Sequence, residues 1–148
     1  MDLTARRCRG SRALHRWLPG LLAGFLLLAC GADGRYVVIG TARAPSASGI
    51  VEVDDIGSGA TQVAVHLEYL HPPSRLQEGL RSYVVWFVPP AGAPLRGGAL
   101  RYDPEARTGD LTETAPFMEF MVKITAERDA RPPTASNLVI ATQNVSID

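Results

Sequence analysis

The sequence predicts an all-β fold, with two antiparallel sheets packed face to face. Three observations carry that expectation. Apolar residues recur at every second position in several short runs, the period of a half-buried strand. The runs are separated by breaks rich in the chain's 14 glycines and 11 prolines, at spacings of about 8 to 15 residues. No stretch carries apolar residues at helical spacing over the length of an amphipathic helix.

Each element follows from its residues. Arg35 to Thr41 reads as the first strand, and Ala44-Pro45-Ser46-Ala47-Ser48-Gly49 breaks it. Ile50, Val51 and Val53 give a short strand ending in Asp54-Asp55, with a turn at Gly57-Ser58-Gly59. Gln62 to Tyr69 is the clearest strand. Val63, Val65, Leu67 and Tyr69 alternate with Gln62, Ala64, His66 and Glu68. His71-Pro72-Pro73 ends it, because proline cannot donate to a ladder. Leu76 to Ser82 is a connector with room for one helical turn. Ser82 to Val88 is apolar on both parities and rich in β-branched and aromatic residues, which predicts a central strand covered on both faces. Trp86 is expected at the centre of the core.

Pro89 to Pro94 is a long turn, and Ala99 to Tyr102 a short strand. Asp103-Pro104-Glu105 and Thr108-Gly109-Asp110 frame a turn before Leu111 to Thr114. Along Phe117 to Glu127, the residues Met118, Phe120, Val122, Ile124 and Ala126 share one face. Glu119, Lys123, Thr125 and Glu127 share the other and are expected to face solvent. Asp129 to Ser136, with Pro132-Pro133, is a loop, and Leu138 to Ile147 is the last strand. The expected architecture is an immunoglobulin-like sandwich of about seven or eight antiparallel strands, preceded by a signal-peptide helix. The Cys-Trp-Cys spacing of true immunoglobulin domains is absent, and no internal repeat is visible.

The first part of the chain differs in kind. Arg6, Arg7, Arg9, Arg12 and Arg16 precede an apolar run from Leu18 to Ala29. A basic start, a short apolar middle and a small residue before the cut describe a secretory signal peptide. The run contains Pro19, Gly20 and Gly24 and is shorter than the roughly 20 residues a spanning helix needs. Cys8 and Arg9 follow Arg6-Arg7 where twin-arginine export would want an apolar pair, so the general secretory route is expected. Leu27-Leu28-Ala29-Cys30 resembles the lipobox of bacterial lipoproteins. That resemblance implies cleavage between Ala29 and Cys30, a diacylglycerol on the Cys30 sulfur, and an acylated amine such as a palmitate amide. Two or three acyl chains hold a protein on a membrane where one holds it marginally. The implied partner is therefore the membrane, through lipid on Cys30. The implied location is the cell envelope, on the periplasmic side of the inner or outer membrane or at the cell surface. Gly31 in place of aspartate removes the best-known inner-membrane retention signal and favours the outer membrane. The other reading is an ordinary signal peptide with Cys30 at its boundary. The expected organisation is a signal peptide at 1–29, a short tether at 30–34 and a sandwich domain at 35–148. The tether's reach is on the order of 15 Å.

Composition bounds the rest. Without the first 29 residues, ten basic and fourteen acidic side chains remain, a net charge near −4. That argues against nucleic acid, which selects a basic face. Cys8 leaves with the signal and Cys30 is alkylated, so the folded part has no thiol for a disulfide, a thiolate metal site or a nucleophile.

Tyr83 to Thr142 resembles the C-terminal domain of the anti-sigma-K factors. The residues in common are Tyr83-Val84-Val85-Trp86, a turn with Pro94, Gly97-Gly98-Ala99-Leu100, Val122-Lys123-Ile124-Thr125-Ala126-Glu127 and Pro132-Pro133. The resemblance implies an extracytoplasmic β-sandwich. The family's sigma-binding module and its spanning helix have no counterpart here, so an anti-sigma activity is not implied.

Several groupings offer candidate chemistry. His66 and His71 with Met118 or Met121 offer copper-type ligands, but two histidines five apart on a strand and its exit do not share a face. Asp54-Asp55 and Asp103-Pro104-Glu105 offer oxygens to calcium without EF-hand spacing. Glu68, Glu119 and Glu127 offer carboxylates for glycoside hydrolysis, and all lie on solvent-facing parities. Gly57-Ser58-Gly59 is not a nucleophile elbow. Asn144-Val145-Ser146 matches a glycosylation sequon, and Trp86 and Tyr83 could stack on a sugar. The sequence therefore points to a non-catalytic, lipid-anchored envelope interaction or structural module without a cofactor. It would engage an envelope protein through an edge strand or the proline-rich loops. The alternative is a small metal- or glycan-binding module.

Overall fold

In the computed structural model, residues 34–147 are described. The signal segment, the lipidation and cleavage residues Cys30 and Ala29, and the tether up to Asp33 lie outside them. Nine strands form in order: β1 (Gly34–Ile39), β2 (Ser48–Gly57), β3 (Ala60–Glu68), β4 (Ser82–Val88), β5 (Leu95–Ala99), β6 (Arg101–Asp103), β7 (Thr108–Ala115), β8 (Glu119–Glu127) and β9 (Val139–Ser146). One helical turn, α1 (Pro73–Leu76), lies between β3 and β4, three residues earlier than its expected place. The strands build a five-stranded sheet in the order β1-β2-β3-β7-β6 and a four-stranded sheet in the order β5-β4-β8-β9. All pairs are antiparallel.

Setting β1 aside, the remaining eight strands follow the order of an immunoglobulin-like sandwich. β2-β3-β7-β6 stand where A-B-E-D would, and β5-β4-β8-β9 stand where C′-C-F-G would. The ninth strand, β1, is an addition at the edge beside β2. Against the expected strands, which include β1, the added one is β5, whose residues Leu95-Arg96-Gly97-Gly98-Ala99 carry no alternating signal. Pairing with β4 holds this stretch extended, with a register shift at Val85/Trp86.

The core takes Val38, Val51, Val53, Val63, Val65 and Leu67 from one sheet. From the other it takes Tyr83, Val85, Phe87, Phe120, Val122, Ile124 and Ala126. Phe87 and Phe120 meet edge to face, 5.5 Å between centroids, a favoured aromatic geometry. The alternation read along β8 and from Gln62 to Glu68 in β3 is the one observed. Tyr69, expected on the inner face, lies beyond β3 and is 57% exposed, because its left-handed φ of 58° turns the chain out of the strand. Trp86 corrects its expectation. It is 2% exposed, yet by parity it stands with Val84 on the outer face of β4, away from Tyr83, Val85 and Phe87. Loop 128–138 folds over that face, with Pro132 buried.

Both seams between the sheets are stitched. At one, the chain crosses between sheets at Leu100, whose N–H donates to Tyr83 O at 2.8 Å. At the other, Gly40 bridges to Ala141, Thr41 N–H donates to Ile140 O at 2.7 Å, and the Tyr36 hydroxyl donates to Ser146 O at 2.9 Å. Such closure limits the exposed edges that invite stray pairing. The registers also define two poles. Gly34 lies level with Val53, Thr61 with Ala115, and Glu119 with Ser146. The strand ends at the other pole release turn 41–47, connector 69–81, turn 104–107 and loop 128–138.

Candidate functional site

The loop pole opposite Gly34 is the most elaborated part of the molecule. Connector 69–81 is pinned by Leu70 and Leu80, both buried. Leu70 N–H donates to Arg107 O at 2.9 Å. The Arg107 guanidinium returns, with Nε donating to Leu70 O at 3.3 Å and Nη2 to Tyr69 O at 3.1 Å. Tyr69 and Arg107 both adopt left-handed φ, near 58°, a costly backbone state for non-glycine residues that surrounding bonds must hold. The Tyr102 hydroxyl donates to Leu70 O at 3.2 Å and the Tyr83 hydroxyl to His71 O at 2.6 Å. Burial, and then the neighbouring Tyr102, push the Tyr83 pKa well above the usual phenol value. The hydroxyl therefore stays a donor across the physiological range.

Loop 128–138 is fastened by a different chain of bonds. Trp86 Nε1–H donates to Thr125 Oγ1 at 2.9 Å, and Thr125 Oγ1–H donates to Glu127 Oε1 at 2.5 Å. The same Oε1 accepts Ser136 N–H at 2.8 Å. Ser136 Oγ–H donates to Ala126 O at 2.9 Å, and Arg96 Nη1 holds Pro132 O at 3.1 Å. Glu127 is only 5% exposed. The expectation that it faces solvent is corrected: its parity is outward, but the returning loop encloses it. Thr125, also expected on the solvent side, is fully buried.

Between the connector and the loop lies a cavity of about 300 Å³. Gln77, Leu80, Glu127, Pro132, Ser136 and Asn137 are among its walls. Sequence reading missed it, because it depends on two loops distant in the chain meeting at one pole. The available signal was Ser136, a residue suited to capping bonds, following a double proline.

The other candidates separate. His66 projects from the outer face of the five-stranded sheet, in a row with Val37, Ile50, Asp110 and Arg101 on the other four strands. Its Nδ1 lies 2.5 Å from Asp110 Oδ1, and its Nε2 lies 3.8 Å from Glu68 Oε1. The hydrogen bond to Asp110 raises the His66 pKa above its ordinary value against a smaller effect of burial, and the charges of Asp110 and Glu68 add to the rise. His71 instead faces Arg107, whose Nη2 is 3.5 Å from His71 Nε2. Met118 Sδ lies beside Thr61 Oγ1 at 3.9 Å. Met121 and Glu119 line a second cavity near Tyr36. Asp55 Oδ1 accepts Gly57 N–H, and Asp103 Oδ1 accepts the amides of Glu105 and Ala106, which are turn bonds. Ser58 sits at a hairpin tip with φ near 60°. Asn144 is exposed on β9. Among the described residues, no three His, Cys, Asp or Glu side chains are grouped to hold a metal.

Fold and site together define an immunoglobulin-like β-sandwich with a walled cavity at its loop pole. No family model matches this chain, and neither a curated protein nor a solved structure does.

Proposed function

We propose that the chain is an exported bacterial lipoprotein whose sandwich serves as a non-catalytic interaction module in the cell envelope. The observation that carries this reading is Leu27-Leu28-Ala29-Cys30, with Cys30 four positions ahead of the first strand. In this reading lipid on Cys30 holds the protein to the membrane, and the partner is another envelope protein. The arrangement of the poles supports it. The chain enters β1 at one pole, so a short tether leaves the loop pole facing away from the anchor. The extracytoplasmic role implied by the resemblance to anti-sigma-K C-terminal domains agrees with that placement.

Metabolic labelling with a palmitate analogue tests the reading. Label is expected on the wild-type chain and not on Cys30→Ser, and wild type alone is expected to sediment with membranes. Equal labelling of both ends the proposal.

A further inference from the structure

The cavity at the loop pole has a buried carboxylate among its lining residues. Glu127 is almost wholly enclosed, and a buried carboxylate is costly unless its charge is met. Oε1 is met twice, by Thr125 and Ser136. Oε2 accepts no hydrogen bond among the described residues, and it is not sealed from solvent. Among the described residues the ion pairs are those of Arg35 with Glu52 and of His66 with Glu68 and Asp110, and none includes Glu127. A carboxylate thus lines a space open to solvent, with one oxygen that accepts no hydrogen bond among the described residues.

The walls narrow the chemistry that fits. Leu80, Pro132 and Leu138 present apolar surface, and Gln77 and Asn137 present amides. Arg128 and Asp129 also line the cavity, so with Glu127 its charged side chains are two acids and one base. A metal ion needs several ligand groups, and no such grouping exists among the described residues. A long cationic side chain suits the space better. Its methylene stem can lie on apolar walls while its charged head reaches the carboxylate. An ionised pair at that depth forms the stronger class of hydrogen bond.

We propose that this cavity binds a primary ammonium or guanidinium group, presented as a lysine or arginine side chain by the envelope protein that the module engages. The inference rests on the interaction reading above and names the chemistry of its partner. Glu127 Oε2 takes the cation, and Leu80 and Pro132 take the stem. Thr125 and Ser136 keep the carboxylate in place through Oε1. The location at the pole away from Gly34 makes the site accessible to a protein approaching from the side opposite the tether.

The test uses the exported full-length chain purified in detergent and saturation-transfer NMR on three probes: n-butylammonium, n-butylguanidinium and butyrate. Transfer is expected to one or both cations and not to butyrate. It is expected to fall severalfold in Glu127→Gln, which keeps a hydrogen-bond acceptor but loses the charge. Asn137→Trp, which fills the exposed rim without touching the core, is expected to give the same loss. It decides the matter if the first variant does not fold. Absence of transfer to either cation overturns the proposal. Equal transfer in wild type and a folded variant does so too, as does butyrate performing as well as the cations. Palmitate labelling at Cys30 is independent of all these outcomes, so failure of the cavity and failure of the anchor are read separately.

Discussion

Thr125 stands between an indole and a carboxylate and serves both. It accepts from Trp86 and donates to Glu127, and it is fully buried. Thr125→Val keeps the shape and removes both bonds. Glu127 Oε1 keeps the Ser136 amide, but the buried Trp86 Nε1–H is left unpaired, which costs about 1–3 kcal/mol and is expected as a lower urea midpoint with an unchanged slope. His66 shows the opposite regime. Its side chain and that of Asp110 are 46% and 41% exposed, so their pair contributes only about 0.2–1 kcal/mol. Its sign with pH is fixed by linkage. Because the folded pKa lies above 6.5, the contribution is complete below that value and fades as pH rises through the folded pKa. Unfolding free energies of wild type and Asp110→Asn should therefore differ most in mildly acidic buffer and converge in alkaline buffer. A difference that grows with pH would contradict this assignment.

Strand behaviour depends on what covers each face. The alternation in β3 and β8 was legible because their inner residues answer one core with a period of two. β4 was legible as a strand but not in its orientation. Two-sided apolarity says only that both faces are covered, and the second cover is loop 128–138, whose path no local pattern encodes. Glu127 was misread for the same reason, since parity gives its direction but not what meets it. β5 left no trace because Gly97 and Gly98 carry no side chains to alternate. Close approach of β2 to β3 gives a sharp prediction. A Cβ on Gly49 would lie 2.0 Å from His66 O and 2.8 Å from Leu67 Cα, and backbone cannot rotate aside. Gly49→Ala is expected to destabilise by at least the ~1–3 kcal/mol typical of overpacking, measured by thermal unfolding. At the β1 seam, Tyr36→Phe deletes a hydroxyl that donates to Ser146 O and accepts Ser146 N–H. A loss of about 1 kcal/mol is expected, with faster hydrogen exchange at the Ser146 amide.

The described residues form a closed sandwich made of distant pairings, such as β3 with β7 and Gly40, just after β1, with Ala141 near the start of β9. Loop closure must precede most of its rewards, so refolding is expected in the range of roughly milliseconds to seconds, as for other sandwiches. Stopped-flow fluorescence can follow it, since Trp86 is the only tryptophan after Trp17. The class of fold was readable from strand spacing and turn residues. The loop-pole cavity was not, because it exists only after connector 69–81 and loop 128–138 are brought together. One consequence follows from Gly34 and Ile147 lying at the same pole, where Tyr36 reaches Ser146. The way in and the way out of the domain share a doorway. A reporter grafted after Ile147 would crowd whatever Gly34 is fastened to, whereas one spliced into the exposed 104–106 tip would project into open space and leave that doorway clear.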